Sequence, residues 1–188
     1  MAGADADIAV LDPAGRKVLR KEMLHEQARL LPFLQEFDVR TMLLLRRDFE
    51  HVSAERLLSG IGLPVLYRAV CAVKGQPAAV LTAEAVVEHA AAGSDAMAVE
   101  TIDAFCALLG SFAGNVALTL GARGGVYIGG GIVPRLGKTF DQSAFRSRFE
   151  DKGRFTDYVK GIPTYVITAQ HATFVGASAI LAAQLRKL

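Results

Sequence analysis

Apolar residues follow two distinct periods along this chain of 188 residues. Through most of its length they recur every three or four positions, as they do on one face of an amphipathic α-helix. Short apolar runs typical of β-strands occur at residues 7–11, 126–128 and 164–168. Many helices with few strands predict an α/β domain in which the helices pack on a small sheet.

Start and stop signals divide the helical part of the chain into segments. The predicted helices cover residues 36–49, 62–74, 83–92, 95–120, 142–149 and 174–187, with a short helix between Ser53 and Gly60. The longest one contains Gly110 and Gly114, where small residues allow another backbone to come close. Residues 6–21 predict a hairpin whose return strand lies at 16–20.

A glycine-rich stretch at residues 124–135 interrupts this pattern. Its strand, residues 126–128, runs directly into Gly129, Gly130 and Gly131, and we expect Pro134 to end the apolar pair that follows. Glycine lacks a Cβ, so a main chain of this composition can approach a purine or a phosphate closely. The spacing matches neither G-x-G-x-x-G nor a Walker A sequence. A ligand-binding turn and a plain strand-to-loop turn are both open interpretations.

A second informative stretch surrounds Glu55. Ser53 is a suitable N-cap, which places Glu55 in the first helical turn, where the helix dipole favours a carboxylate. That electrostatic role is one interpretation of Glu55. The other is a carboxylate that accepts hydrogen bonds from a polyol, because a charged acceptor binds hydroxyl groups more strongly than a neutral one.

Composition and charge exclude several classes of protein. Hydrophobic residues make up 52% of the chain and charged residues 21%, which is typical of a globular protein. The net charge is +2 with scattered Lys and Arg, so we expect no nucleic-acid partner. The sequence shows no uninterrupted apolar run of about 18 residues, no secretory signal and no metal-ligand spacing. Cys71 and Cys106 are expected to be buried free thiols.

Several segments, in this order, resemble bacterial glucokinase, the ATP-dependent hexose kinase of the actin/hexokinase-like superfamily. They are residues 51–56 (HVSAER), 58–60 (LSG), 66–69 (LYRA), 114–115 (GN), 117–118 (AL), 124–128 (GGVYI), 130–135 (GGIVPR) and 149–155 (FEDKGRF). The segments at 124–128 with 130–135, and at 149–155, are specific to that family. The resemblance extends from about residue 36 to the C-terminus.

The resemblance implies a ribonuclease-H-like, actin-like ATPase fold. Residues 36–188 would form its helix-rich large domain, and residues 1–35 a truncated remnant of its small domain. The implied reaction is transfer of the ATP γ-phosphate to the 6-hydroxyl of glucose, the first step of glycolysis, with Mg²⁺, in the cytoplasm. By resemblance, Glu55 binds glucose hydroxyls, and Gly129, Gly130 and Gly131 form the turn against the adenosine of ATP. No catalytic residue is assigned.

The chain also departs from the family pattern. The family's Asp-x-Gly-Gly-Thr phosphate loop, its small-domain catalytic Asp and its Glu-Gly-Gly-His sugar motif are not found in this sequence. A non-catalytic remnant that binds sugar or nucleotide weakly is therefore the alternative interpretation. A Rossmann-type NAD domain is a third, weakened by the missing glycine fingerprint. A homodimer stays an open expectation, because an apolar face left by a missing domain favours self-association.

Overall fold

The fold is described by a computed structural model that covers residues 8–10, 45–169 and 171–186. Its helices are α1 (Ala54–Leu57), α2 (Gly62–Val73), α3 (Ala83–Ala92), α4 (Ala96–Leu120), α5 (Ile132–Leu136), α6 (Lys138–Asp141), α7 (Phe145–Glu150), α8 (Thr156–Lys160) and α9 (Ala172–Leu185). The strands are β1 (Ile8–Val10), β2 (Val126–Ile128) and β3 (Thr164–Val166). A 3₁₀ turn at Gly153–Phe155 joins α7 to α8, and residues 45–48 are also helical.

The three predicted strands form one sheet in the order β1-β2-β3. β1 runs antiparallel to β2, and β2 runs parallel to β3 with Val126 opposite Thr164. A parallel pair needs a long crossover, and residues 129–163 with helices α5 to α8 provide it. The predicted return strand at 16–20 lies outside the described residues, as do the other residues from 11 to 44 and with them the predicted boundary at residue 35.

Helix α4 is the centre of the hydrophobic core. The Asp95 carboxylate caps its first turn by accepting hydrogen bonds from the backbone amides of Met97 at 2.7 Å and Ala98 at 3.2 Å. Helices α2, α3 and α7 all pack on it. The spacing of apolar residues in this helix predicts six inward-facing side chains. Met97 is half-buried, and the other five are buried: Ile102, Phe105, Leu108, Leu109 and Phe112. The predicted core face of the longest helix is thus confirmed.

Two glycines on α4 set how closely α7 approaches. A Cβ built on Gly110 would overlap the carbonyl oxygen of Phe145, and one built on Gly114 would overlap that of Phe149. Gly110 and Gly114 are four residues apart on α4, and their partners are four residues apart on α7. One stripe of α4 therefore faces one stripe of α7. The side chain of Phe149 is fully buried at this contact. The prediction that these glycines admit another backbone is confirmed, and the structure identifies that backbone as α7.

Among the described residues, most predicted helix boundaries agree with the structure to within two residues, and three expectations differ more. Helix α1 ends at Leu57 rather than at Gly60. Helix α7 begins at Phe145, later than the predicted residue 142. The expectation that Pro134 ends the apolar segment is wrong, because α5 runs through it. Pro134 is the third residue of α5, where the missing N–H has no intrahelical acceptor to lose.

A buried tyrosine links α2 to the start of α4. The Tyr67 hydroxyl donates a hydrogen bond of 2.6 Å to Asp95 Oδ2, while Oδ1 of the same carboxylate caps α4. The bond from Tyr67 is the main reason that the pKa of Asp95 lies below its usual range. The shared carboxylate therefore couples the helix cap to the packing of two helices.

Two apolar helices differ in their surroundings. Helix α4 is long and apolar enough to cross a membrane by length and composition, and 61% of its apolar window is buried inside the protein. Helix α9 starts two residues before the predicted position, and its large apolar side chains are exposed. These are Phe174, Val175, Ile180, Leu181 and Leu185.

Both cysteines are free and buried, as predicted.

We expect Gly110→Ala to lower the free energy of unfolding by roughly 1–3 kcal/mol, because the new methyl group must displace the α7 backbone. Gly176→Ala in α9 is the matched control, since a Cβ there meets open space. It should leave stability unchanged or raise it by about 1 kcal/mol. Urea denaturation measures both, and equal values for the two variants would contradict the close approach.

Tyr67→Phe should weaken the acid dependence of stability. The folded pKa of Asp95 is lowered, so its contribution is present above the unfolded pKa of about 3.9 and lost as pH falls through the folded value. Without the Tyr67 bond we expect the free energy of unfolding to fall by about 1–2 kcal/mol at pH 7. The additional loss of stability below about pH 4 should be smaller in Tyr67→Phe than in the unaltered protein. Tyr165→Phe, at an exposed ring, is the control. Parallel stability–pH curves for Tyr67→Phe and the unaltered protein would refute this role.

Candidate functional site

The glycine turn, which we define as Gly129, Gly130 and Gly131, follows β2 directly. Gly129 is buried and Gly130 is exposed, with a φ of 103° that side-chain-bearing residues rarely adopt. Gly131 returns to a φ of −92° and is the N-cap residue of α5. The turn thus presents bare backbone at an exposed point, which suits close approach by a flat or anionic ligand.

The turn is held at the edge of the sheet by bonds between β2 and β3. The Val126 amide donates to the Pro163 carbonyl and the Ile167 amide to the Ile128 carbonyl, each at 2.9 Å. Gly125, with a φ of 126°, lies under the Tyr165 ring, where a Cβ would come within 3.2 Å of it. The turn lies at the carboxyl end of β2, the position where ligands bind in parallel α/β sheets.

An ion pair flanks the far side of the turn. Arg135 of α5 lies 3.6 Å from the carboxylate of Glu84, which is in the first turn of α3. Hydrogen bonds from the Glu84 backbone amide and the Thr82 hydroxyl, together with Arg135, lower the pKa of this carboxyl group. Both side chains are more than half exposed, so the pair contributes little stability and the guanidinium remains accessible to solvent.

Glu55 is the second residue of the single-turn helix α1 and is half-buried. The Ser53 hydroxyl accepts a bond of 3.1 Å from the Arg56 amide, which confirms both the predicted N-cap and the first-turn position of Glu55. At the other end, the Ser59 hydroxyl accepts from the Gly62 amide at 3.0 Å. A Cβ on Gly62 would overlap the Arg56 carbonyl, so α1 and α2 are tightly joined. The backbone that carries Glu55 is therefore fixed.

The two candidate elements are connected through the helical layer. Helix α1 packs on α2, α2 packs on α3, and α3 packs on α5, which begins where the glycine turn ends. Glu55 and the glycine turn are thus placed by the same set of helices. One presents a carboxylate and the other presents bare backbone, so together they could recognise a polyol and a nucleotide.

Comparison with known proteins identifies the family. A family model described as Glucokinase matches residues 9–184, which is nearly the whole chain. The chain belongs to the glucokinase family. The resemblance inferred from the sequence motifs is therefore confirmed.

Individual relatives agree with this assignment. Glucokinase from Chromobacterium violaceum is 57% identical over 137 residues, which cover 73% of this chain and 39% of that protein. The bifunctional protein glk of Burkholderia orbicola is 56% identical over 141 residues, or 74% of this chain and 22% of that protein. A solved glucokinase from an Antarctic psychrotroph matches with a TM-score of 0.78 and 35% identity.

This glucokinase-family chain is shorter than its relatives. It spans about two fifths of the Chromobacterium protein and 52% of the solved glucokinase, while 90% of its own length is matched by that structure. The matched part shares the fold of the solved enzyme.

The cofactors that the family implies fit the described residues unequally. The bare backbone at Gly130 fits the approach of an adenosine group, because its φ and exposure leave the main chain uncovered. For Mg²⁺ the described residues bring together no group of three or more His, Cys, Asp and Glu side chains. We therefore assign no Mg²⁺ ligands and derive no step through the ion.

The ion pair between Arg135 and Glu84 was not predicted from the sequence. Residues about fifty positions apart give no local signal of contact. The nearest indication was the motif that places an arginine shortly after the three glycines.

We expect Gly130→Ala to be more destabilising than Gly131→Ala. Alanine at a φ of 103° is strained and costs about 1–3 kcal/mol, whereas a φ of −92° is open to any residue. Urea denaturation of both variants measures the difference. Equal losses of stability would mean that the backbone of the glycine turn does not require glycine at its centre.

Proposed function

We propose that this protein acts in ATP-dependent transfer of the γ-phosphate to the 6-hydroxyl of glucose. The main observation that supports this proposal is an uncovered glycine turn at the end of β2, in a chain that the Glucokinase family model matches over residues 9–184. Relatives named glucokinase, at 51–57% identity over most of the chain, support the same reaction.

In this proposal the Glu55 carboxylate accepts hydrogen bonds from glucose hydroxyl groups. Its support is the fixed single-turn helix on which it lies and the match of residues 51–56 to the family motif. A carboxylate accepts from two hydroxyls at once and binds them more strongly than an amide does. The first-turn electrostatic role of Glu55 is compatible with sugar binding, because both need an ionised carboxylate.

The glycine turn is proposed to hold the adenosine end of ATP. Gly129, Gly130 and Gly131 would contact the nucleotide through backbone and Cα atoms, and the bound ATP would supply the phosphoryl group. Phosphoryl transfer depends mainly on positioning and electrostatic stabilisation. The general base and the groups that hold the phosphates are not assigned among the described residues.

The remaining expectations about the whole protein are also proposals. We propose a ribonuclease-H-like fold in which residues 36–188 form the large domain and residues 1–35 a remnant of the small domain. Glucose is the proposed partner, the cytoplasm is the proposed location, and a homodimer is the proposed assembly. The 52% coverage of the solved glucokinase supports a chain made mainly of one of the enzyme's parts.

Glu55→Gln should weaken glucose binding by roughly tenfold or more, since a charged acceptor is replaced by a neutral one. The free energy of unfolding should change by less than about 1 kcal/mol, the scale of a helix-terminus charge. Titration calorimetry with glucose and urea denaturation measure the two effects.

Glu84→Gln is the matched control, because Glu84 occupies the same position in the first turn of α3. It should change stability to a similar extent and leave glucose affinity unaltered. Glucose affinity that is equal in Glu55→Gln and in the unaltered protein would leave Glu55 with only its role at the helix start.

A further inference from the structure

Arg146 makes a network of bonds on the short helix α7. Its Nε donates to Glu150 Oε1 at 2.6 Å, and its guanidinium lies 5.0 Å from the centre of the Phe149 ring. Its two terminal nitrogens donate to the carbonyls of Ile162 at 2.9 Å and Lys160 at 3.0 Å. Arg146 thus joins α7 to the segment that enters β3.

The segment bound by Arg146 is the one on which β2 is anchored. Nη1 of Arg146 also lies 3.4 Å from the Thr164 hydroxyl, and Thr164 is the partner of Val126 in the sheet. Between the Ile162 carbonyl and the Thr164 hydroxyl, both bonded to Arg146, the Pro163 carbonyl accepts the Val126 amide at 2.9 Å. The guanidinium therefore holds residues 160–164 on one side, and β2 is bonded to them on the other.

The glycine turn begins at the residue after β2, so its position depends on how β2 is held. β2 has only three residues, and its bond to Pro163 lies at the end opposite the turn. The other end of β2 is bonded to the same continuous segment, because the Ile167 amide donates to the Ile128 carbonyl at 2.9 Å. Displacement of residues 160–164 would therefore move Gly129 and Gly130.

We propose that Arg146 is a positioning residue for the glycine turn and so for nucleotide binding. The inference rests on the proposed function of that turn. Arg146 acts through residues 160–164 and β2, and it does not itself touch the nucleotide. Arginine suits this role because its planar group donates in several fixed directions at once, while a lysine ammonium acts as a point charge.

The test compares Arg146→Met with Lys74→Met in the full chain. Lys74 pairs with Glu100 at 2.8 Å on the surface between α2 and α4, so its substitution removes a similar charge and ion pair elsewhere. The readouts are ADP and glucose affinity by titration calorimetry, and hydrogen exchange of the Val126 and Gly129–Gly131 amides. Arg146→Lys is the second variant, used if Arg146→Met does not fold.

We expect Arg146→Met to weaken ADP binding roughly tenfold and to speed exchange at these amides by about tenfold, with glucose affinity unaltered. Lys74→Met should change none of these values, and Arg146→Lys should lie between the two. Equal losses of ADP and glucose affinity would indicate a general loss of structure and overturn the proposal. Unchanged amide exchange in Arg146→Met would also overturn it.

The two proposals fail in different ways. If the unaltered protein does not bind ADP, the nucleotide role of the turn fails, and the amide exchange still decides whether Arg146 holds the turn. If ADP binds equally well to the unaltered protein and to Arg146→Met, the turn keeps its proposed function and Arg146 loses its positioning role.

Discussion

The close approach of α7 to α4 is the contact on which the rest of the site depends. It exists because Gly110 and Gly114 leave no side chain between the two backbones. Bringing α7 this near buries Phe145 and Phe149 and fixes Arg146, which directly follows Phe145. From Arg146 the connection continues through residues 160–164 to β2 and then to the glycine turn. A packing feature in the core thus determines where an exposed turn lies.

In the proposed function, the glycine turn binds its ligand through the backbone and Glu55 binds its ligand through a side chain. At the glycine turn the backbone is uncovered, so geometry is set by φ values and by the strand bonds of β2. At Glu55 a charged side chain is presented from a helix whose start is capped by the Ser53 hydroxyl, while the Ser59 hydroxyl accepts from the first amide of the next helix. Such a pair suits a reaction in which a flat base and a polyol must be held by one protein, since phosphoryl transfer depends on their relative placement.

Local patterns predicted much of the fold. The Ser53 cap and the core face of α4 follow from capping chemistry and spacing, and the three strands follow from short apolar runs. What could not be predicted is set by contacts between distant residues, such as the backbone that meets Gly110 and the four acceptors of Arg146. The prediction that Pro134 ends its segment was wrong because a proline in the first turn of a helix and a proline that ends a segment look alike in sequence. The family resemblance, carried by residues 130–135 and 149–155, supplied the function that spacing alone left open.

The claim that this chain phosphorylates glucose is tested most directly by glucose-dependent ADP formation from Mg-ATP by the purified protein. The proposed function predicts ADP formation that rises with glucose to a plateau and stays at background when glucose is omitted. ADP formation that is the same with and without glucose would contradict it. Such a result would leave a member of the glucokinase family in which only binding, at Glu55 or at the glycine turn, remains to be measured.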